Sequence, residues 1–249
     1  MSKKRPMKVL SIDFDYFQDV TPEVLINCYP DGKDLPTALT MMTWTSHYAH
    51  SYDELMSVKI DEKHLSQICK IIGNQDTATP NMAVQSHIHI YDFIKEHFDK
   101  TKYNGCQIVN IDMHHDCFND NTELDCGNWV NHIKKDIPNC EVMWIANKVS
   151  NDVYGLKRLS HLIQYDFDKI LNTKFDLIFI CRSDTWLPPH LDPYFDKLYQ
   201  MLRKNFLTTI IDSQIEKPRN FEEIKENAEL YRQQMAEFTA SLKDIKKGE

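Results

Sequence analysis

The chain has 249 residues, 42% of them hydrophobic, and a formal net charge of −8. The length predicts one α/β domain with an appended element, and the negative charge argues against binding to nucleic acid. The sequence has no apolar run near the ~20 residues that span a bilayer, no signal-peptide pattern and no CxxC pair among its seven cysteines, so we expect a cytoplasmic protein with neither a membrane segment nor a disulfide framework.

Four short segments, nearly continuous in apolar residues, are predicted to be buried strands of a parallel sheet. They are KVLSIDFD (8–15), CQIVNIDM (106–113), CEVMWIA (140–146) and FDLIFICR (175–182). Helical patterns lie at 61–73, 83–99, 127–136, 155–172 and 192–204. The less regular segment 16–60 is expected to form loops and a helix over one edge of the sheet. Strands that alternate with helices predict an α/β fold with a doubly wound, mostly parallel sheet.

The C-terminal stretch has the apolar spacing of a heptad seam on a long charged helix. Its apolar positions are 221, 224, 228, 231, 235, 238, 242 and 245. We therefore expect an α/β domain over 1–215 and a helix within 216–249. This helix has two interpretations: it lies along the core of its own domain, or it packs on a second subunit and makes a homo-oligomer.

Carboxylates and imidazoles crowd the ends of two predicted strands. Asp13 and Asp15 are two positions apart at the end of the first, and Asp112, His114 and Asp116 have the same spacing at the end of the second. Alternate residues of an extended chain share a face, and ligands of open α/β sheets collect at the carboxyl ends of the strands. If the two strands are neighbours, these side chains converge.

Four converging carboxylates repel one another unless cations neutralise them. Two divalent cations balance their charge, and a set of mostly oxygen ligands with a few imidazoles favours manganese or a similar ion. QSHIHI (85–90) supplies a further histidine where a polar turn enters a helix. His87 is the favoured ligand, and His89 is the alternative.

These motifs resemble those of a known enzyme superfamily. NIDMHHD (110–116) is similar to the Asp-Ala-His-x-Asp motif of the arginases, or ureohydrolases, and SIDFDYFQDVTP (11–22) is similar to their Ser-Phe-Asp-Val-Asp-Gly-Leu-Asp-Pro segment. CGNWV (126–130) and QSHIHI resemble two further arginase motifs. The order is permuted, because the Asp-x-Asp strand comes first here. An early Asp-x-Asp-Tyr-Phe followed by these motifs resembles the peptide arginases.

The resemblance implies a three-layer fold of the arginase/deacetylase type and two Mn²⁺ ions with one or two bridging Asp. The implied ligands are Asp13, Asp15, His87, Asp112, His114 and Asp116. Asp116 and Asp184 are expected to stabilise the cationic substrate, with Asn128, Trp129 and Trp186 beside it. Val130 stands where arginases have their proton-shuttle histidine, and His132 is the candidate replacement.

Peptide arginases hydrolyse arginine side chains of a ribosomal precursor peptide to ornithine and release urea. We therefore expect the partner to be an arginine-containing peptide, with no role for nucleic acid or membrane. One alternative is hydrolysis of free arginine, agmatine, a related guanidino compound or another C–N bond by the same fold. A further alternative is a noncatalytic metal-dependent binding protein.

Overall fold

The computed structural model describes residues 4–30, 34–118, 123–155, 163–217 and 219–247. Its helices are α1 (Pro22–Cys28), α2 (Thr37–His50), α3 (Tyr52–Ser57), α4 (Glu62–Gly73), α5 (Ile90–His97), α6 (Trp129–Asp136), α7 (Ser150–Tyr154), α8 (Asp192–Asn205) and α9 (Phe221–Lys247). Its strands are β1 (Arg5–Asp13), β2 (Gln18–Asp19), β3 (Lys59–Ile60), β4 (Asn81–Val84), β5 (Tyr103–Asp112), β6 (Cys140–Ala146), β7 (Ile163–Gln164), β8 (Leu177–Cys181) and β9 (Ile210–Ile211).

Seven strands form one parallel sheet in the order β7-β6-β5-β1-β8-β4-β9. The first strand of the chain is central, between β5 and β8. Such a strand is buried on both faces, which explains its continuous apolar run. β2 and β3 form a separate antiparallel pair. The expected α/β fold with a parallel sheet is confirmed.

Alternate side chains of β1 enter two different hydrophobic cores. Leu10 and Ile12 lie in the core that includes Phe195 of α8, whereas Met7 and Val9 lie in the core that includes Phe93 of α5. Helices therefore cover both faces of the sheet, as the period of two along a strand requires. The layers leave the carboxyl ends of the strands as the edge where polar side chains gather.

The predicted elements differ from the structure in three places. Residues 81–84 form β4, because Ala83 and Val84 pair with β8, and the helix predicted from residue 83 begins only at Ile90. The helix predicted over 155–172 is wrong where the structure describes it: residues 163–164 form β7, and the amide of Asp168 bonds to Asp166 Oδ1. Side chains that capture backbone amides compete with helix formation. Segment 16–60 contains three helices instead of one.

The C-terminal helix α9 is packed at its start and exposed further on. Ile224 and Ala228 are each 1% exposed in the core shared with α2, but Tyr231, Met235 and Phe238 are 39%, 44% and 57% exposed. The first turns of α9 thus pack on the domain's own core. A second subunit on the remaining seam stays a prediction; the side chains of residues 242 and 245 lie outside those that the structure describes. Among the described residues, no helix combines the length and apolar character that crossing a bilayer requires.

Candidate metal centre

The two Asp-containing strands are hydrogen-bonded neighbours. β1 and β5 pair in parallel with Ile12 opposite Ile111, so Asp13 and Asp112 end adjacent strands at the same edge of the sheet. This is the edge where open α/β sheets bind their ligands. Asp15 lies in a 3-10 helix after β1, and His114 and Asp116 lie in the loop after β5. The turns therefore bring these side chains together, instead of the continued strands that the spacing predicted.

The first of two triplets is centred on His87. Its Nδ1 atom lies 3.3 Å from Asp13 Oδ2 and 3.2 Å from Asp112 Oδ2. Asp116 Oδ2 approaches the same nitrogen at 3.1 Å. His87 begins a 3-10 helix directly after β4, with Ser86 as its N-cap. The strand end therefore aims the imidazole across the sheet edge, whereas His89 is not part of this triplet.

The second triplet is centred on His114. Its Nδ1 atom lies 3.0 Å from Asp15 Oδ2 and 3.5 Å from Asp112 Oδ1. Asp112 thus presents one oxygen to each histidine and belongs to both triplets. In each triplet, the candidate ligand atoms lie within 4.8 Å of one another. Asp112 is thus the residue that could contact an ion in either triplet.

Hydrogen bonds from neighbouring residues hold four of the side chains of the cluster in place. Ser11 Oγ lies 2.7 Å from His87 Nε2, which leaves Nδ1 for the carboxylates. Trp129 Nε1 donates to Asp116 Oδ2 at 2.6 Å, and the Ser183 hydroxyl donates to Asp13 Oδ2 at 3.2 Å. Asn110 Nδ2 donates to Asp112 Oδ2 at 3.2 Å. Partners of this kind orient metal ligands in metalloproteins.

Backbone strain occurs at the same edge. Asp116 and Ser183 have φ angles of 51° and 61°, in the left-handed region that side chains other than glycine rarely occupy. Both contact the cluster, Asp116 as a member and Ser183 through Asp13. Residues in such conformations concentrate at functional sites, where the surrounding structure holds them.

Burial and mutual repulsion shift the protonation of the cluster. Burial and the neighbouring Asp15 and Asp112 charges raise the pKa of Asp13 to about 7. Burial and the Asp112 charge also raise the pKa of Asp116. The pKa of Asp112 is lowered: burial acts against this, but hydrogen bonds from both imidazoles outweigh it. Burial lowers and the carboxylates raise the pKa of His87 and His114, and the net shift is upward. Apart from Asp112, the carboxylates and imidazoles of the cluster therefore hold protons more tightly than isolated groups do, and bound cations would displace those protons.

The residues fit a pair of divalent ions. His87 Nδ1 and Asp15 Oδ2 are buried and have no hydrogen-bond partner of acceptable geometry among the described residues. The imidazole faces three carboxylate oxygens at nearly equal distances, as ligands arranged around an ion do. Oxygen and imidazole donors suit manganese, zinc and similar ions. Buried Asp and His groups of this protein could therefore hold metal.

A cavity of about 430 Å³ opens onto the cluster. Asp13, His87, His114 and Asp116 lie in its lining. Its walls are largely apolar and aromatic, with the rings of Tyr154 and Trp186 centred 5.4 Å and 5.5 Å from that of His114. The volume is in the range of small-molecule sites. We refer to it as the first cavity.

The structure corrects the substrate-binding role expected for Asp184. Arg182 Nε lies 2.5 Å from Asp184 Oδ1, and Arg182 Nη2 donates to Oδ2 at 3.0 Å. Arg219 also approaches within 4.0 Å. A carboxylate bound through both oxygens by a buried guanidinium already has its counter-charge, so it attracts a cationic substrate less. Asp184 does not line the first cavity.

Of four other predicted site residues, one lines the first cavity and three lie outside its lining. Trp186 lines the first cavity. Trp129 is fully buried and donates a hydrogen bond to Asp116. Asn128 is also buried and donates to the Glu123 carbonyl. Both residues therefore support the residues of the site without lining the cavity. His132 packs edge-on against Tyr91 of α5, with ring centres 6.2 Å apart. It does not line the cavity, because its part of α6 faces α5.

Several residues of the site had a sequence signal that pattern reasoning missed. Ser11 and Asn110 each lie two positions before an Asp ligand candidate, so they share its strand face, and both are fully buried. A polar residue inside an apolar strand is such a signal. Arg182 stands two positions before Asp184 in the same way. Tyr154, from the short helix α7, had no comparable signal.

Comparison of this chain with protein-family models, with curated proteins and with solved structures found no match.

Proposed function

We propose that the protein is a dinuclear metal hydrolase that converts arginine side chains of a peptide to ornithine and releases urea. The observation that carries this proposal is the sharing of Asp112 by two buried triplets, one with Asp13 and His87 and the other with Asp15 and His114. Two manganese ions are the proposed occupants. Two such ions, when bound, act as Lewis acids that make water a nucleophile near neutral pH.

The chain's own residues would position the reactants. Ser11 fixes the ring of His87, and Trp129 fixes the carboxylate of Asp116. The apolar walls of the first cavity would exclude water around the aliphatic part of an arginine. Tyr154 and Trp186 would flank its cationic head, since aromatic faces attract cations.

Asp125 replaces Asp184 as the candidate residue for binding the guanidinium. It lines the first cavity and belongs to neither triplet. Its Oδ1 accepts from the Gly127 amide at 2.9 Å, and no ion pair among the described residues includes it. A carboxylate beyond those that the metals neutralise would favour a cationic substrate.

The test combines metal analysis with mass spectrometry. Purified protein is loaded with manganese and incubated with arginine-containing peptides, and each converted arginine lowers the peptide mass by that of CN₂H₂ with one urea released. Asp112→Asn is the inactive variant, and exposed Glu237→Gln is the matched control that removes a charge from α9. Bound metal without urea from any arginine source would favour a noncatalytic metal-binding protein.

The peptide preference is tested with free arginine as competitor. Asp125 at the cavity would repel a free α-carboxylate, while a peptide bond carries no such charge. We expect peptides with both termini blocked to be processed and free arginine to be processed at least about tenfold more slowly. Efficient hydrolysis of free arginine with inert peptides would instead assign the protein to small-molecule guanidino hydrolysis.

A further inference from the structure

A second cavity of about 690 Å³ adjoins the first. Asp125 and Cys126 line both, so they form a ridge between the two. The wall of the second cavity continues through the start of α2 and the turn at Gln85 and Ser86. Ser86 immediately precedes His87 of the first triplet. A ligand that fills the first cavity therefore has open space next to it, across the ridge.

The lining of the second cavity is acidic. Asp34, Glu123 and Asp125 belong to it, and the described lining residues include neither Lys nor Arg. Asp184 also lines it, but its charge is matched by Arg182. Ser86 Oγ donates to Asp34 Oδ2. Ion pairs among the described residues include none of the first three acids, so three carboxylates there lack a cationic partner.

Two side-chain oxygens of residues that line this cavity lack partners among the described residues. The side-chain oxygens of Thr37 and Gln85 are buried and have no hydrogen-bond partner within the described part of the chain. Native proteins leave few such atoms unsatisfied, and each calls for an explanation. This observation is independent of the acids: a ligand with hydrogen-bond donors would satisfy these oxygens once the Thr37 or Gln85 side chain turns toward the cavity.

We propose that the second cavity binds a basic residue, Lys or Arg, that flanks the target arginine in the peptide substrate. The inference rests on the proposed function in taking an arginine peptide as the ligand of the first cavity. Consecutive residues of an extended peptide are ~3.3–3.6 Å apart, so a neighbour one or two positions away reaches across the Asp125–Cys126 ridge. An ammonium or guanidinium supplies both the positive charge and the donors that the second cavity lacks.

The test uses labelled peptides that differ only at the flanking positions. Each has one central arginine, blocked termini and Lys, Leu or Glu on both sides. Fluorescence anisotropy gives the Kd for the manganese-loaded protein, and urea release gives kcat/KM. We expect the Lys peptide to bind at least about tenfold more tightly than the Glu peptide at low salt, with a smaller ratio at high salt.

Variants of residues in the second cavity test whether this preference arises there. Glu123→Gln and Asp34→Asn are each expected to lower the Lys-to-Glu affinity ratio by about threefold or more. Glu123→Lys is expected to reverse the preference. Glu237→Gln is the control, because it removes one charge from the exposed part of α9. Glu123 is exposed, and the bond that it makes to Asn128 is through its backbone carbonyl, so its variants test the proposal even if Asp34→Asn fails to fold.

The outcomes separate this inference from the proposed function. Equal affinity for the three peptides overturns it, and so does a ratio that Glu123→Gln leaves unchanged or that Glu237→Gln lowers equally. Selective binding that the cavity variants weaken, without urea from any peptide, supports the basic-residue subsite while the proposed hydrolysis fails. Urea release at the same rate from all three peptides, with equal affinity, supports the proposed hydrolysis and overturns the basic-residue subsite.

Discussion

Two groups of buried aspartates lie at the carboxyl edge of the sheet, and they are neutralised in different ways. In the arginine–aspartate network, Arg182 binds Asp184 and Arg219 binds Asp192. Its two acids and two bases balance within the chain. In the carboxylate–imidazole cluster, four aspartates face only two histidines; its members are Asp13, Asp15, His87, Asp112, His114 and Asp116. Protons balance this cluster when no cation is bound, as the raised pKa values of Asp13 and Asp116 indicate, and an ion could take their place.

The pKa values of the histidines beside the two groups differ as well. The carboxylates of the cluster raise the pKa of His87 and His114, although burial acts to lower it. Beside the network, burial and the nearby Lys59 and Arg219 charges lower the pKa of His190 to about 4, although a hydrogen bond to the Val58 carbonyl opposes this shift. One residue type thus titrates in opposite directions. A buried carboxylate that already has a guanidinium serves the fold, whereas one that lacks a cation is available to a ligand.

Removal of Asp112 is expected to have the largest effect. Asp112→Ala deletes the one carboxylate that both triplets share, so affinity for both ions should fall by more than about 100-fold, the upper range for partners that only support a ligand. Hydrolysis should be lost with it. Metal content is measured by elemental analysis after dialysis. A variant that keeps two ions per chain would remove Asp112 from the bridging position and weaken the contrast with the network.

Removal of one histidine is expected to affect one ion. His114 contacts only the triplet with Asp15, so His114→Ala should leave about one ion per chain. His115→Ala is the matched control, because His115 is adjacent in sequence but lies outside both triplets. Loss of both ions from His114→Ala would show that the two sites fill together.

The arginine–aspartate network is expected to respond in stability instead. Asp184→Asn leaves the buried Arg182 without its counter-charge and should lower the free energy of unfolding by about 3 kcal/mol. Metal stoichiometry of the folded variant should stay unchanged. Urea denaturation in the presence of a chelator measures the first quantity, and elemental analysis measures the second. A fall in metal content with unaltered stability would move Asp184 into the metal site.

A paired replacement sharpens this result. Arg182→Met together with Asp184→Leu removes both charges, and replacing a buried ion pair by apolar residues is often neutral. The double variant should therefore recover most of the stability that Asp184→Asn loses. No recovery would mean that Arg219, which also approaches Asp184, depends on this carboxylate.

The sequence predicted much of the sheet and the identity of the clustered residues. The strands that end in Asp13 and Asp112 were predictable because burial on both faces makes their sequences almost continuously apolar. The elements that failed depend on long-range pairing: Ala83 and Val84 form a strand only because β8 lies beside them. Side-chain capture around Asp166 similarly overrides a helical pattern.

The difference between the two acidic groups was not predictable from spacing alone. Asp184 and Asp116 both follow a buried strand, and each lies near a turn with a left-handed residue. Only the structure shows that Arg182 folds back on Asp184, while Arg219 arrives from the segment before α9. Arg219 comes from a distant segment and leaves no periodic signal, and the resemblance to the arginases assigned both aspartates to the same site.

The smallest expected effect is the contribution of His190 to the pH dependence of stability. It is held neutral between Tyr48, whose hydroxyl lies 2.6 Å from Nδ1, and the Val58 carbonyl, 3.1 Å from Nε2. Its pKa of about 4 in the folded protein is below the value of about 6.5 in an unfolded chain. Between these values the unfolded state binds more protons, so stability falls as the pH is lowered.

For His190 this linkage amounts to about 2 kcal/mol between pH 7 and pH 4.5. His190→Gln removes the titrating group, so its unfolding free energy should fall by about 2 kcal/mol less than that of the unmodified protein over the same interval. Urea denaturation at the two pH values, with a chelator present, measures both. His97→Gln is the control, because His97 lies on α5 at the other face of the sheet. An identical pH dependence for the unmodified protein and His190→Gln would show that His190 is charged in the fold, and the contrast between the histidines of the two regions would then fail.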